Sequence, residues 1–469
     1  MNTTITASQA AAPTVQEKHP AGLYVLFATE LWERFGFYTL GAMLALYLRD
    51  SVQGMGWREQ DATTLFSYYL MFVYASPLIG GWLADKWMGH RLAITVGAFF
   101  FAAGYFLLYV PSVTILYLAL TLVVIGNGFF KPNVSAMVGN LYQEGSHLKD
   151  RAYNIFYMGI NVGACLAPIV AEFMKAKFGF HPAFAVAVGG MALSIFILWK
   201  WKKHIEMADT AASRGAKTMA DTVAVTTDAP PHGVSQQDTA NADRRAVMDA
   251  VPDWKRVAAL IVIFGIVVVF WMVFHQNGTT ITYWGNENTN WKVTGIISNA
   301  INPGWVILLT FPVIAFWRWL DKKGLEPSTP TKMVFGMVLT ACAFLIWFIA
   351  AKIGEASLAP GTNPYALGAY KMSPLWLLGA YGVLTAGELM LSPMGLSLVS
   401  KVSPIRWRGI MMGGWFVATG FGNKLTQIGQ LWDDWLHSTF WLFCAGCALF
   451  MAFVLLVLLK PLKKAMPGV

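Results

Sequence analysis

A chain of 469 residues with 56% hydrophobic, 14% aromatic and only 13% charged content is too long for one ordinary soluble core and too apolar to clothe several. Its net charge of +9 would suit nucleic acid, but nearly all lysines and arginines sit in short loops between apolar runs. They orient a protein in a membrane and exclude a nucleic-acid surface.

About 20 apolar residues cross a hydrocarbon layer about 30 Å thick. On that measure twelve spans are expected near 23–48, 62–86, 91–110, 113–142, 150–174, 182–200, 255–283, 293–319, 332–352, 374–400, 406–432 and 437–460. The fold class is therefore all-α integral membrane. Residues 1–20 are polar and give no cleavable signal, so the first span itself directs insertion. Of 34 lysines and arginines, 24 fall on the face shared by both termini and seven on the other, which predicts cytoplasmic termini. The last three, Arg34, Lys131 and Lys424, lie inside spans.

The first span contains "ELWERFGFY". A charge at the centre of a membrane helix costs about 2.5–3.5 kcal/mol on the mildest scale, and this stretch has Glu30, Glu33 and Arg34. At 1.5 Å per residue they sit roughly 10–17 Å in from the cytoplasmic end, too deep to snorkel. Glu33 and Arg34 follow Glu30 by three and four residues, which sets the three along one helical face, close enough for either carboxylate to pair with the guanidinium. A static pair would pin the helix, but two acids and one base leave one carboxylate over, and such a group can exchange its cation for a proton.

The second span carries Tyr74 and ends in "GGWLADKWMGHR"; the eighth ends in "WRWLDKKGLEPS", so Asp85-Lys86 and Gly89 echo Asp321-Lys322 and Gly324. The fourth span, "GNGFFKPNVSAMVG", sets Lys131 among apolar residues, as a cavity-facing ammonium or one that snorkels from the inner end. In the fifth, "FYMGINVGA", Asn161 stands between Gly159 and Gly163, spaced for close helix approach. Residues 201–253 are rich in Ala, Thr, Asp, Pro and Gln without apolar period and predict a flexible cytoplasmic linker. The domains are then an N-tail (1–20), a six-helix bundle (21–200), the linker (201–253), a second six-helix bundle (254–461) and a C-tail (462–469).

In the second half, "WMVFHQNGTT" holds His275, a possible extra protonation site or a satisfied polar residue near the outer mouth. "SNAINPGW" places Asn302 before Pro303. "GELMLSPMGLS" places Glu388 deep in the tenth span with Ser392 before Pro393, and no cation shares its helix. Its partner is expected to be Lys131 or a substrate cation. A cavity with cations on one wall and an acid on the other suits a zwitterion. Tyr38 and Tyr74 can bond an amide backbone between the ends. The four cysteines (Cys165, Cys342, Cys444, Cys447) lie in apolar runs without zinc spacing and are expected to be packing residues, so no metal is expected.

These stretches carry a family resemblance. "GGWLADKWMGHR" resembles the G-x-x-x-D-R/K-x-x-G-x-R loop of the major facilitator superfamily, and "ELWERFGFY" resembles the E-x-x-E-R-F-x-Y-Y signature of its proton-dependent oligopeptide transporters, the POT or peptide transporter family. "GNGFFKPNVS", "FYMGINVGA", "INP" and "GELMLSPMGLS" resemble that family's motifs in the fourth, fifth, eighth and tenth spans. The resemblance implies two six-helix bundles and a symporter that imports di- and tripeptides with protons by alternating access. It gives Glu30, Glu33 and Arg34 the proton coupling, sets Arg34 and Lys131 toward the peptide carboxylate, and sets Asn161, Asn302 and Glu388 toward its ammonium. Tyr38 and Tyr74 would bond the backbone, with Ser392 and Trp415 lining the pocket. No cofactor beyond the proton is implied, and the working unit would be a monomer in the cytoplasmic (inner) membrane.

The chain departs from the pattern in three places. Phe37-Tyr38 replaces a tyrosine pair; Gly41 and His275 stand where many members place an outer-gate ion pair; and no extra helices join the halves. Within the same fold the alternative is transport of nitrate, an amino acid or a peptide-like drug. A membrane enzyme finds no catalytic constellation in the spans, and a receptor that binds peptide without moving it would show binding without counterflow exchange.

Overall fold

The structure, a computed structural model, describes residues 18–142, 147–209, 248, 250–291, 295–364, 368–404 and 407–467. The N-terminal half consists of α1 (Ala21–Arg49), α2 (Glu59–Leu83), α3 (His90–Leu107), α4 (Val113–Asn140), α5 (His147–Phe178) and α6 (Phe180–Lys200). The C-terminal half consists of α7 (Asp253–Phe274), the short α8 (Thr280–Glu287), α9 (Ser298–Lys322), α10 (Thr329–Ala356), α11 (Pro374–Val402), α12 (Arg408–Leu425) and α13 (His437–Ala465). With α7 and α8 counted as one broken span, twelve crossings result among the described residues.

By length and composition alone, ten segments are apolar enough to cross a membrane. The two crossings outside that set are α1 and α12. Glu30, Glu33 and Arg34 lower the hydropathy of α1, and five glycines with Arg408, Asn423 and Lys424 lower that of α12. Both are held by packing rather than by hydropathy: α1 lies along α5 and α6, and α12 lies against α7 and α2.

The repeat expected from the loops extends through the packing. In the first half α3 packs on α4 and α6, α2 on α4, and α1 on α5 and α6; in the second α10 packs on α11 and α13, α9 on α11, and α7 on α12 and α13. A Cβ on Gly97 of α3 would lie 2.7 Å from the Gly126 carbonyl oxygen of α4, and one on Gly336 of α10 would lie 2.8 Å from that of Gly387 on α11. The same close approach is thus built twice, by glycine each time. The turns after the two matching loops also agree, with Gly89 at φ 78° and Gly324 at φ 65°, where only glycine is unstrained. The halves meet along α2–α12 and α5–α9.

The N-tail expected at 1–20 falls mostly on residues 1–17, and the linker mostly on 210–247; both lie outside the described residues. The first linker residues are not loose, contrary to the expectation for 201–253. Short 3-10 turns at Lys202–His204 and Glu206–Ala208 bury Ile205 and Ala208. Asn140 Nδ2 donates to the Ala208 carbonyl at 3.0 Å, and Asp209 accepts from the His90 backbone at 2.9 Å. The two polar contacts give the exit of α6 a fixed seat under α3 and α4. The cysteines are free thiols, with Cys444 buried, in keeping with packing roles.

Candidate functional site

Midway along α1, Arg34 is gripped by both carboxylates of its own helix. Its Nη2 donates to Glu33 Oε1 at 2.8 Å while Nε also meets Glu33, and Nε lies 3.1 Å from Glu30 Oε1. The second Glu30 oxygen has no partner, so the surplus carboxylate is that of Glu30. All three side chains are shut away: Glu30 is 2% exposed, Glu33 0% and Arg34 3%. Two carboxylates on one guanidinium in a dry site carry one negative charge too many, which a single proton removes.

Asn127 of α4 completes this cluster and escaped the sequence reading. It is fully buried, its Oδ1 accepts from Arg34 Nη2 at 3.5 Å, and its Nδ2 donates to the Val73 carbonyl of α2 at 2.7 Å. The signal was present: Asn127 stands one helical turn before Lys131, on the same face.

Lys131 pairs with no carboxylate among the described residues. Its ammonium makes a cation–π contact 4.6 Å from the centre of the Tyr74 ring, and it feels the Glu30 and Glu33 carboxylates without an ion-pair contact to either. The expected Lys131–Glu388 pair is therefore absent in this state. Glu388 is instead held by neutral donors: Asn302 Nδ2 of α9 donates to Glu388 Oε2 at 2.9 Å and to Thr385 Oγ1 at 2.9 Å. Glu388 lies within electrostatic reach of Tyr38 on α1, Tyr74 on α2 and Tyr157 on α5.

The remaining candidates divide by exposure. Tyr38, Tyr74, Lys131, Asn302, Glu388 and Ser392 are partly open, whereas Asn161 and Trp415 are buried with the Arg34 cluster. Asn161 spends its Nδ2 on the Tyr157 carbonyl of its own helix at 2.9 Å. Trp415 is seated on Gly395 of α11 and edge-on to Phe264 of α7 at 6.4 Å. His275 stacks on Trp271 at 5.0 Å and meets Tyr74 edge-on at 6.0 Å, with Nε2 unpartnered. It thus lies beside the Lys131–Tyr74 pair and is not a satisfied polar residue at the mouth.

The ends of the helices away from the termini are fastened together. Arg49 of α1 reaches Glu287 of α8 at 2.9 Å, Gln427 donates to Thr64 Oγ1 at 3.2 Å, and Gln60 to Asp434 at 3.4 Å. Lys424, to which the sequence reading gave no role, lies over the Tyr68 ring at 3.6 Å and donates to Ser67 at 3.4 Å, tying α12 to α2.

Residues 91–433 match the model of the POT family. The chain belongs to the POT family. It is 29% identical to the di-/tripeptide transporter of Lactococcus lactis subsp. lactis (strain IL1403), over 96% of this chain and 97% of that protein. It is 30% identical to dipeptide and tripeptide permease A of Escherichia coli (strain K12), over 87% of this chain and 83% of that one. Among solved structures, a mutant of peptide transporter POT in complex with alafosfalin superposes with a TM-score of 0.79 at 28% identity, covering 96% of each chain. A POT family transporter in complex with 5-aminolevulinic acid gives 0.78 at 25% identity, covering 95% of this chain and 97% of the other. Membership of the POT family places the chain among multi-pass membrane transporters and removes the membrane-enzyme reading.

Proposed function

We propose that this POT-family transporter is a proton-coupled symporter that imports di- and tripeptides across the cytoplasmic membrane by alternating access. The observation that carries the reading is a cation and an acid on different helices, neither in an ion-pair contact: Lys131 over Tyr74 and Glu388 held by Asn302. A zwitterionic peptide satisfies both at once, its carboxylate at Lys131 and its ammonium at Glu388, while Tyr38 and Tyr74 bond the backbone and Ser392 borders the pocket. Asn161 and Trp415 shape the walls from behind.

Proton coupling follows from the count at Arg34. With Glu33 held bidentate and Glu30 surplus, a proton on one carboxyl frees part of the guanidinium, and Arg34 then joins Lys131 in holding the peptide carboxylate. Return of the carboxylate's grip on Arg34 expels proton and peptide together. The proton is the coupling ion and no further cofactor takes part. Termini on the cytoplasmic side agree with the loop charges and put the fastened end outside, with the bundles of 21–200 and 254–461 rocking as units around the site. A monomer contains every element of this cycle.

The test is uptake of a labelled dipeptide by purified protein in liposomes under an inward proton gradient. Wild type concentrates the peptide. Glu33→Gln loses uphill uptake and keeps counterflow, because the amide can neither release a proton nor hold Arg34 with charge. Failure of wild type to accumulate dipeptide, with nitrate or a single amino acid moved instead, overturns the proposal; concentrative uptake by the variant overturns the role of Glu33.

A further inference from the structure

Where α6 leaves the bilayer, at the end of the helices that bears both termini, Lys200, Lys202 and Lys203 fall within four positions and all are exposed. The transport cycle above uses none of them. The negative end of α6 accounts for one cation in its last turn, Lys200, but not for two more beyond it. The acids of the same turn do not neutralise them: Glu206 and Asp209 face Arg91 of α3, at 3.7 and 3.8 Å. The lysines have no ion-pair partner among the described residues. Beside them is exposed aromatic surface, with Phe196, Trp199 and Trp201 each more than 40% open. Lys202 and Arg91 lie 5.6 and 5.8 Å from the centre of the Trp199 ring, Lys200 lies 5.5 Å from that of Phe196, and Trp199 is fixed by an Nε1 bond to Thr95 at 3.2 Å.

We propose that Lys200, Lys202 and Lys203 bind the phosphate of an anionic phospholipid, whose acyl chains lie along the exposed Phe196 and Trp199 of α6. The charge pattern selects this occupant. A lipid with a neutral headgroup brings an ammonium against three lysines, and a soluble anion leaves the aromatic surface unused; an anionic phospholipid meets both parts.

The turn that presents the lysines is held in place. Ile205 and Ala208 are buried against the first bundle, the Asn140 and His90 bonds already described hold its far end, and a Cβ on Gly22 of α1 would lie 2.4 Å from the His204 carbonyl oxygen. Met207 between them is left 82% exposed, an apolar side chain suited to the headgroup boundary. The acids thus lie toward Arg91 while the lysines and apolar groups stay open. The lipid then bridges α6 and this turn, giving the first linker residues a reason to be seated. The site does not depend on what the transporter carries.

The experiment adds phosphatidylglycerol, or phosphatidylcholine with the same chains, to full-length protein in neutral detergent and counts retained lipid by native mass spectrometry. Wild type is expected to retain its first phosphatidylglycerol at a concentration at least about 10-fold lower than its first phosphatidylcholine. Each lysine near anionic lipid is worth about fivefold, so Lys200→Gln with Lys202→Gln and Lys203→Gln should lose about 100-fold for phosphatidylglycerol and little for phosphatidylcholine. Lys202→Gln alone, expected to lose about fivefold, serves if the triple variant does not fold. Removing three exposed lysines from the second bundle instead, Lys322→Gln with Lys323→Gln and Lys463→Gln, should leave the wild-type preference. No preference in wild type, an unchanged affinity in the folded α6 variant, or equal losses in both triple variants overturns the site. Displacement of the lipid by glycerophosphoglycerol, the same headgroup without chains, overturns the lipid as its occupant. Uptake plays no part in the readout, so failure of the symporter reading leaves this test intact.

Discussion

Asn302 donates to Glu388 across the α9–α11 interface, 2.9 Å from Nδ2 to Oε2, and its second amide proton goes to Thr385. A carboxylate held by a neutral amide keeps its charge available, whereas one held by lysine or arginine would have to be unpaired before it could bind an ammonium. In the proposed cycle this leaves Glu388 free to take up the peptide ammonium.

Charge loss at that wall is expected to be selective. Glu388→Gln weakens binding of a dipeptide with a free amino terminus by about 10–100-fold, the range of one charged hydrogen bond. An N-acetylated dipeptide, already without the ammonium, changes little. Competition against labelled dipeptide measures both; equal losses for the two ligands would remove Glu388 from the ammonium end.

The opposite wall gives the mirror result. Lys131→Gln is expected to cost about 10-fold or more for a peptide with a free carboxylate and little for its C-terminal amide. Tyr74→Leu, which removes the ring beneath the ammonium, costs less, about threefold, in line with a cation–π contact. Binding isotherms for the acid and amide forms check this.

Asn127 joins the Arg34 cluster to α2 through the Val73 carbonyl at 2.7 Å. Asn127→Ala leaves that carbonyl with the Ser76 hydroxyl at 3.2 Å as its side-chain donor, takes one acceptor from the guanidinium, and is expected to cost about 1–2 kcal/mol of stability. Thermal unfolding in detergent measures the loss, and proton-driven uptake should fall more than counterflow because Arg34 is less firmly placed.

Gly395 tests the seat of Trp415. A Cβ there would come within 1.9 Å of the indole Cη2, with Cζ3 and Cζ2 also under 3 Å. Gly395→Ala is expected to destabilise by about 1–3 kcal/mol through overpacking. Phenylalanine lacks those three ring atoms, so Gly395→Ala with Trp415→Phe should recover most of the loss. Gly41→Ala, where nothing lies within 4 Å, is the neutral control.

Much of this architecture was legible in the sequence, because span length and buried charge are local properties with large energies. Twelve apolar runs, a charged triplet in the first, a lysine in the fourth and a glutamate in the tenth are visible without coordinates. What the sequence could not say was which groups pair. Glu30 stands four residues before Arg34 and Glu33 directly before it, and the rotamers together with Asn127 from α4 leave the surplus on Glu30. Lys131 and Glu388 are opposite in sign, yet Tyr74 and Asn302 occupy them separately. Arg49, Glu59, Glu287 and Asp433 are unremarkable at helix ends, where charge is cheap, and they are far apart in the chain. Only the meeting of the two bundles brings them around one guanidinium, since pairing across hundreds of residues is set by helix packing and not by any local period.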